Sequence, residues 1–155
     1  MKRLEIPMEE QYPLIREVID SKGSFRLFPK GTSMLPLLRQ GKDSVLLVSP
    51  DGLRARDICL YRRKNGAFVL HRLMKIEKNG TLTFLGDNQL QLERGISPDQ
   101  VIAVVSHVFR GEKKISVKKC SYRCYVWLHC IYPLRWICFL PRRILGKIRR
   151  ILKKK

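Results

Sequence analysis

Four short segments carry side chains that could do chemistry: GTSMLP around Ser33, RDICLYRR from Arg56, FVLHRLMKI around His71, and LGDNQ around Asp87. Ser33 sits in a turn where Gly31 permits unusual dihedrals and Pro36 biases Leu35 toward extended backbone. A serine on such a loop can present its hydroxyl and its own N–H to the same carbonyl. His71 falls among apolar neighbours on its strand face, where an imidazole is either a satisfied core residue or a base whose pKa can be tuned. Asp87 can serve as a carboxylate partner or close an Asx turn. Lys75, two same-face steps beyond His71, is a second candidate base, although a solvated strand lysine is its commoner role. Taken singly, each segment has an ordinary structural reading.

The elements that must position these groups follow from hydrophobic period. The stretch from Pro7 to Ser21 has Leu14, Ile15, Val18 and Ile19 at one-face helical spacing, and Gly23 follows as a stop. From Ser24 to Val117 the pattern changes to short β-branched and aromatic runs: SFRLF, SVLLV, ICLYR, FVLHRLMKI, TLTFL and VIAVVSHVF. Asn65-Gly66 and Asn79-Gly80 lie between neighbouring runs as hairpin turns. About six strands are therefore expected. Alternation in the fourth run places Val69, His71, Leu73 and Lys75 on one face, and Phe68, Leu70, Arg72, Met74 and Ile76 on the other. No repeat and no glycine-rich phosphate loop appears. The expected fold is mainly β (α+β), an antiparallel domain at 24–117 with a leading helix at 1–23 and an appendage at 118–155.

The 155 residues include 32 Lys and Arg against 13 Asp and Glu, a net charge of +19. Residues 113–155 hold 14 of the basic side chains and none of the acidic ones. The basicity thus belongs mostly to the appendage, and attraction to anionic lipid or nucleic acid follows. Residues 125–140 are mostly apolar but interrupted by His129, Pro133 and Arg135, and 16 residues are fewer than the roughly 20 that a spanning helix needs. After Pro141, Ile144, Leu145, Ile148, Ile151 and Leu152 form one helical stripe. Arg142, Arg143, Lys147, Arg149 and Arg150 are among the residues covering the rest. That pattern suits basic amphipathic helices lying in a membrane interface, with Trp127 and Trp136 at headgroup level. Apolar content exceeds what phosphate binding requires, so an anionic membrane surface is favoured over RNA.

Glu5, Glu9 and Glu10 interrupt the place of a secretory apolar core, and five cysteines suggest no closed disulfide framework. A reducing cytosolic setting is expected. Cys120 and Cys124 are four apart on an expected helix, without a nearby histidine to complete a metal set, so neither metal nor cofactor is expected.

In this order the four segments, followed by Glu93-Arg94-Gly95 and the last strand run, resemble the serine peptidases of the signal peptidase and LexA-like superfamily. The resemblance covers roughly residues 25–110. Where bacterial signal peptidases carry a catalytic lysine this chain reads His71-Arg72, which is similar to the endoplasmic-reticulum and archaeal branch that uses serine, histidine and aspartate.

The resemblance implies a coiled antiparallel β domain of signal peptidase/LexA-like type, with Ser33 as nucleophile, His71 as general base and Asp87 as third member. Glu93, six residues later, falls where that branch can carry a second acid. The chemistry agrees, because a serine needs an adjacent base and an imidazole of ordinary pKa, about 6.5, is mostly neutral at pH 7. Many signal peptidases have an oxyanion-holding serine two residues before the nucleophile. Here that residue is Gly31, so the Ser33 N–H and Thr32 are the expected donors. The implied activity is cleavage of a peptide or protein leader through an acyl-enzyme, at the cytoplasmic face of a membrane, with the chain peripheral rather than spanning. Too few residues precede the first strand for a helix-turn-helix domain, and no DNA partner is expected. The competing expectation is a self-cleaving LexA-like regulator or a non-catalytic adaptor with a membrane- or nucleic-acid-binding tail.

Overall fold

The computed structural model describes residues 8–130, with side-chain surroundings for 12–127. The stretch 131–155, with Arg142, Arg143, Lys147, Arg149 and Arg150, lies outside the described residues, as do residues 1–7. Helix α1 (Met8–Lys22) ends where Gly23, at φ 74°, donates its N–H to the Ile19 carbonyl at 2.9 Å. Glycine takes that left-handed conformation without a Cβ penalty, which makes it an effective C-terminal stop. Ile15 and Ile19 are buried, while Leu14 is 48% exposed. The inward face is therefore centred one position away from the expected stripe.

Eight strands make one antiparallel sheet: β1 (Phe25–Leu27), β2 (Asp43–Val48), β3 (Ile58–Arg62), β4 (Phe68–Ile76), β5 (Leu82–Leu85), β6 (Glu93–Ile96), β7 (Val101–Arg110) and β8 (Lys113–Ser116). Their order is β1-β2-β7-β3-β4-β5-β6, and β8 pairs with β7. The mainly-β, α+β class is as expected. The six anticipated runs are all strands; β6 and β8 are additions, built from Glu-Arg-Gly-Ile and Lys-Lys-Ile-Ser, which have little intrinsic β preference. Both anticipated hairpin turns form alike. Gly66 and Gly80 take φ 87° and 81°, and their N–H groups donate to the carbonyls of Arg63 and Glu77.

The sheet separates two apolar clusters. One holds Ile58, Leu60, Leu70 and Ile102 with Ile15 and Ile19 of α1 and Met34, Leu37 and Leu38 of the loop that carries Ser33. The other holds Cys59, Tyr61, Leu73, Leu82, Phe84, Ile96 and Val101. Helix α2 (Cys120–Cys130) adds Tyr122 and Val126 to the first cluster. The segment expected as an appendage from residue 118 thus begins inside the core of the body. Among the described residues, no helix is long and apolar enough to cross a membrane.

Candidate active site

Ser33 is half-buried on the loop between β1 and β2, and that loop is fastened from several sides. The Gly31 N–H donates to Gln40 Oε1 at 2.9 Å, and the Leu38 N–H to the Met34 carbonyl at 2.9 Å. At its far end, buried Asp43 accepts from the Arg39 N–H and guanidinium at 2.8–2.9 Å. Buried Met34, Leu37 and Leu38 anchor the loop by burial of apolar area, worth about 1.5–3 kcal/mol for each large side chain.

The LGDNQ segment grips this loop through its backbone. The Asn88 N–H donates to the Ser33 carbonyl at 2.7 Å, and Asn88 Nδ2 donates to the Thr32 carbonyl at 3.0 Å. Gly86 is required by the same approach, since a Cβ there would stand 2.8 Å from the Ser33 carbonyl oxygen and 2.7 Å from Gln89 Oε1. Thr32 is exposed beside Ser33.

Asp87 does not sit beside the imidazole as the resemblance implies. Its carboxylate accepts two hydrogen bonds from Arg72, Nε to Oδ1 at 2.8 Å and Nη2 to Oδ2 at 2.6 Å, and both side chains are fully buried. Arg72 Nη1 also donates to the Arg56 carbonyl at 2.9 Å and the Tyr122 hydroxyl at 3.4 Å. The reason is strand alternation: His71 and Arg72 leave β4 on opposite faces, and Asp87 is taken up by the arginine's side. Burial works against a charged Arg72, but Asp87 more than compensates and holds the guanidinium protonated.

On the other face, His71 meets Tyr61 and Glu93. The Tyr61 hydroxyl lies 3.2 Å from His71 Nδ1 and donates to Glu93 Oε2 at 2.8 Å. Glu93 Oε2 is itself 4.0 Å from Nδ1, beyond hydrogen-bond reach. Arg63 grips both oxygens of Glu93, at 2.7 and 2.6 Å. Although burial opposes it, hydrogen bonds from Arg63 and Tyr61 hold the Glu93 carboxyl below the usual carboxylate range. Burial lowers the His71 pKa to about 4; Glu93 pulls it upward, Arg63 pushes it down, and Asp87 pulls it upward more weakly. A neutral imidazole at pH 7 is the consequence.

Ser33 and His71 line one cavity of about 270 Å³, together with Met34, Leu38, Phe68 and Leu70. No hydrogen bond joins the Ser33 hydroxyl to the imidazole among the described residues, so the two groups face a common space without touching. Catalytic contacts in ligand-free sites are often long and tighten around substrate. Lys75 is removed from the site. A register shift separates it from Leu73, its side chain is 66% exposed, and it pairs with Glu77 at 2.5 Å. Among the described residues, no group of three or more His, Cys, Asp or Glu is arranged to hold a metal ion.

Sequence reasoning passed over Tyr61, Arg63, Arg72 and Asn88. One signal was legible: the Asn65-Gly66 hairpin pairs Cys59 with His71 and Tyr61 with Val69, making Tyr61 a same-face diagonal neighbour of His71. Comparison with known proteins finds no matching family model, curated protein or solved structure.

Proposed function

We propose that the chain is a serine endopeptidase of signal-peptidase/LexA-like type, with Ser33 as nucleophile and His71 as general base. The observation that carries this reading is the shared cavity. A serine on a loop fastened through its own carbonyl faces the same space as an imidazole that burial keeps neutral. In the reaction, Ser33 Oγ attacks the peptide carbonyl carbon as His71 takes its proton. The tetrahedral intermediate collapses, the amine leaves with that proton, and an acyl-Ser33 ester remains. Water, deprotonated by His71, then attacks the ester and releases the second product. The Ser33 N–H and Thr32 are the donors for the developing oxyanion.

In this reading the acid of the site is Glu93, and Asp87 is the strut that holds the Asn88 latch. Substrate binding by strand addition is supported by the β4–β5 ladder, which runs from Arg72 to Ile76 and does not include Phe68–Leu70 at the cavity. An extended peptide fits beside that stretch, with Met34, Leu38 and Phe68 forming apolar walls that suit small side chains. The charge of residues 113–155 supports docking at an anionic membrane surface.

The test is covalent labelling with a fluorophosphonate, read by peptide mass spectrometry. Labelling at Ser33 that disappears in Ser33→Ala and falls at least a hundredfold in rate in His71→Ala is expected, since a positioned base contributes about 10²–10⁴-fold. Equal labelling of the wild type and Ser33→Ala would remove the nucleophile, and the adaptor reading would take its place.

A further inference from the structure

The catalytic reading leaves a gap that geometry fills: the carboxylate nearest His71 is out of reach, and a phenol stands between them. We propose that Tyr61 is a positioning residue that sets the tautomer of His71 by relaying the polarity of Glu93 to Nδ1. This inference rests on the proposed function, because tautomer control matters only if the imidazole serves as base.

A tyrosine hydroxyl has one proton to give. The bond to Glu93 is shorter, at 2.8 Å, and ends on a carboxylate that Arg63 keeps charged from both oxygens, whereas the separation from Nδ1 is 3.2 Å. Charge-assisted bonds are roughly twice as strong as neutral ones, so the proton goes to Glu93. The phenol oxygen is then left as acceptor toward Nδ1, and it can be satisfied only if Nδ1 carries the ring proton. The second nitrogen, Nε2, keeps its lone pair, which is the form a base needs in order to receive the serine proton.

The surroundings hold this arrangement rigid. Tyr61 is fully buried and stacks on Phe84 at 4.3 Å between ring centroids, with 18° between the planes. The phenol stays protonated, since burial and the neighbouring Glu93 both raise its pKa. The remaining charged groups acting on His71 are Arg63, beyond the end of β3, and Asp87, engaged by Arg72 on the opposite face. Neither supplies a competing acceptor to Nδ1: one is a cation and the other is held elsewhere.

The experiment is nitrogen-15 NMR of the His71 ring in the full chain at pH 7, for the wild type, Tyr61→Phe and Glu93→Gln, with labelling of Ser33 by a fluorophosphonate alongside. The wild type should show a protonated Nδ1 and a lone pair on Nε2. Tyr61→Phe keeps the stacked ring and loses only the oxygen, and the proton should redistribute toward Nε2. Its labelling rate should fall about 10- to 100-fold, less than the roughly 10²–10⁴-fold that a general base contributes, because the imidazole itself remains. Glu93→Gln removes the charge assistance that draws the phenol proton away from Nδ1, so its ring proton should also redistribute toward Nε2, though less completely than in Tyr61→Phe. A wild-type ring protonated on Nε2, or a Tyr61→Phe ring identical to the wild type, overturns the relay whatever the activity. The expected spectra accompanied by no labelling of Ser33 in any form would uphold the tautomer assignment and sink the peptidase reading instead.

Discussion

Two arginine–carboxylate pairs with different surroundings lie on opposite sides of the sheet at β4, one anchored by Arg72 of β4 itself and the other joining Arg63 after β3 to Glu93 of β6. Arg72 and Asp87 are both wholly buried, whereas Arg63 and Glu93 retain 38% and 24% exposure at the edge of the site. A sealed ion pair cannot exchange its partner with solvent or substrate, and its role is to fix the backbone around it. Here it ties β4 to the segment that clamps the Ser33 carbonyl. A half-open pair beside a cavity can hold a charge near the side chains that line it. Adjacent residues of one strand thus divide the work: Arg72 braces the loop that carries Ser33, while His71 faces the cavity with Tyr61 and Glu93 behind it.

The largest effect should come from breaking the sealed pair. Arg72→Met takes the guanidinium away from the wholly buried Asp87 carboxylate and should cost about 3–5 kcal/mol in chemical denaturation. Replacing both partners, as Arg72→Met with Asp87→Leu, should restore much of that loss, because two apolar side chains leave no orphaned charge. A double variant as unstable as the single one would mean that the pair does more than compensate its own charge.

Acid should reveal the other face next. Because burial depresses His71 from an ordinary value of about 6.5 to about 4, the unfolded chain binds its proton first. The folded state therefore loses stability as pH falls below about 6.5, and this contribution saturates below about 4. The total is about 3 kcal/mol. His71→Asn should show a shallower decline over that window in urea titrations at stepped pH. With His71 as the proposed base, the folded value governs reactivity, so the labelling rate should stay nearly flat from pH 8 to 5 and fall toward pH 4. A loss centred near 6.5 would show that the imidazole is solvated.

Glu93→Gln should shift stability by about 1 kcal/mol or less, as expected of a partly exposed ion pair, while slowing Ser33 labelling at least tenfold. A large stability loss without a change in labelling would erase the contrast between the two pairs. Least of all should change in Lys75→Ala: stability within about 0.5 kcal/mol and unaltered labelling.

Much of the architecture was legible in local pattern. ICLYR and FVLHRLMKI coincide with β3 and β4, because β-branched and aromatic runs bounded by Asn-Gly turns have few other ways to bury their apolar faces. Strand β6 was not legible. Glu93-Arg94-Gly95-Ile96 has the composition of a loop, and it becomes a strand only because β5 offers it a ladder, with Phe84 opposite Glu93. That pairing is also what delivers Glu93 to the Tyr61 hydroxyl. Asp87 illustrates the reverse case, a carboxylate in the motif position whose partner was decided by which face of β4 lay closer. The helix at Cys120 and Cys124 was legible in sequence, but its docking was masked by the basic stretch around it, and only buried Tyr122 and Val126 show that its first turns close the core.

Residue order alone determined the alternation, the turns and the candidacy of Ser33 and His71, since these depend on neighbours within a strand or a hairpin. Which acid serves which base was decided by tertiary structure, because a carboxylate's partner depends on the approach of a third element through space. Local period sets the face a side chain takes, and only the packed sheet sets what waits there.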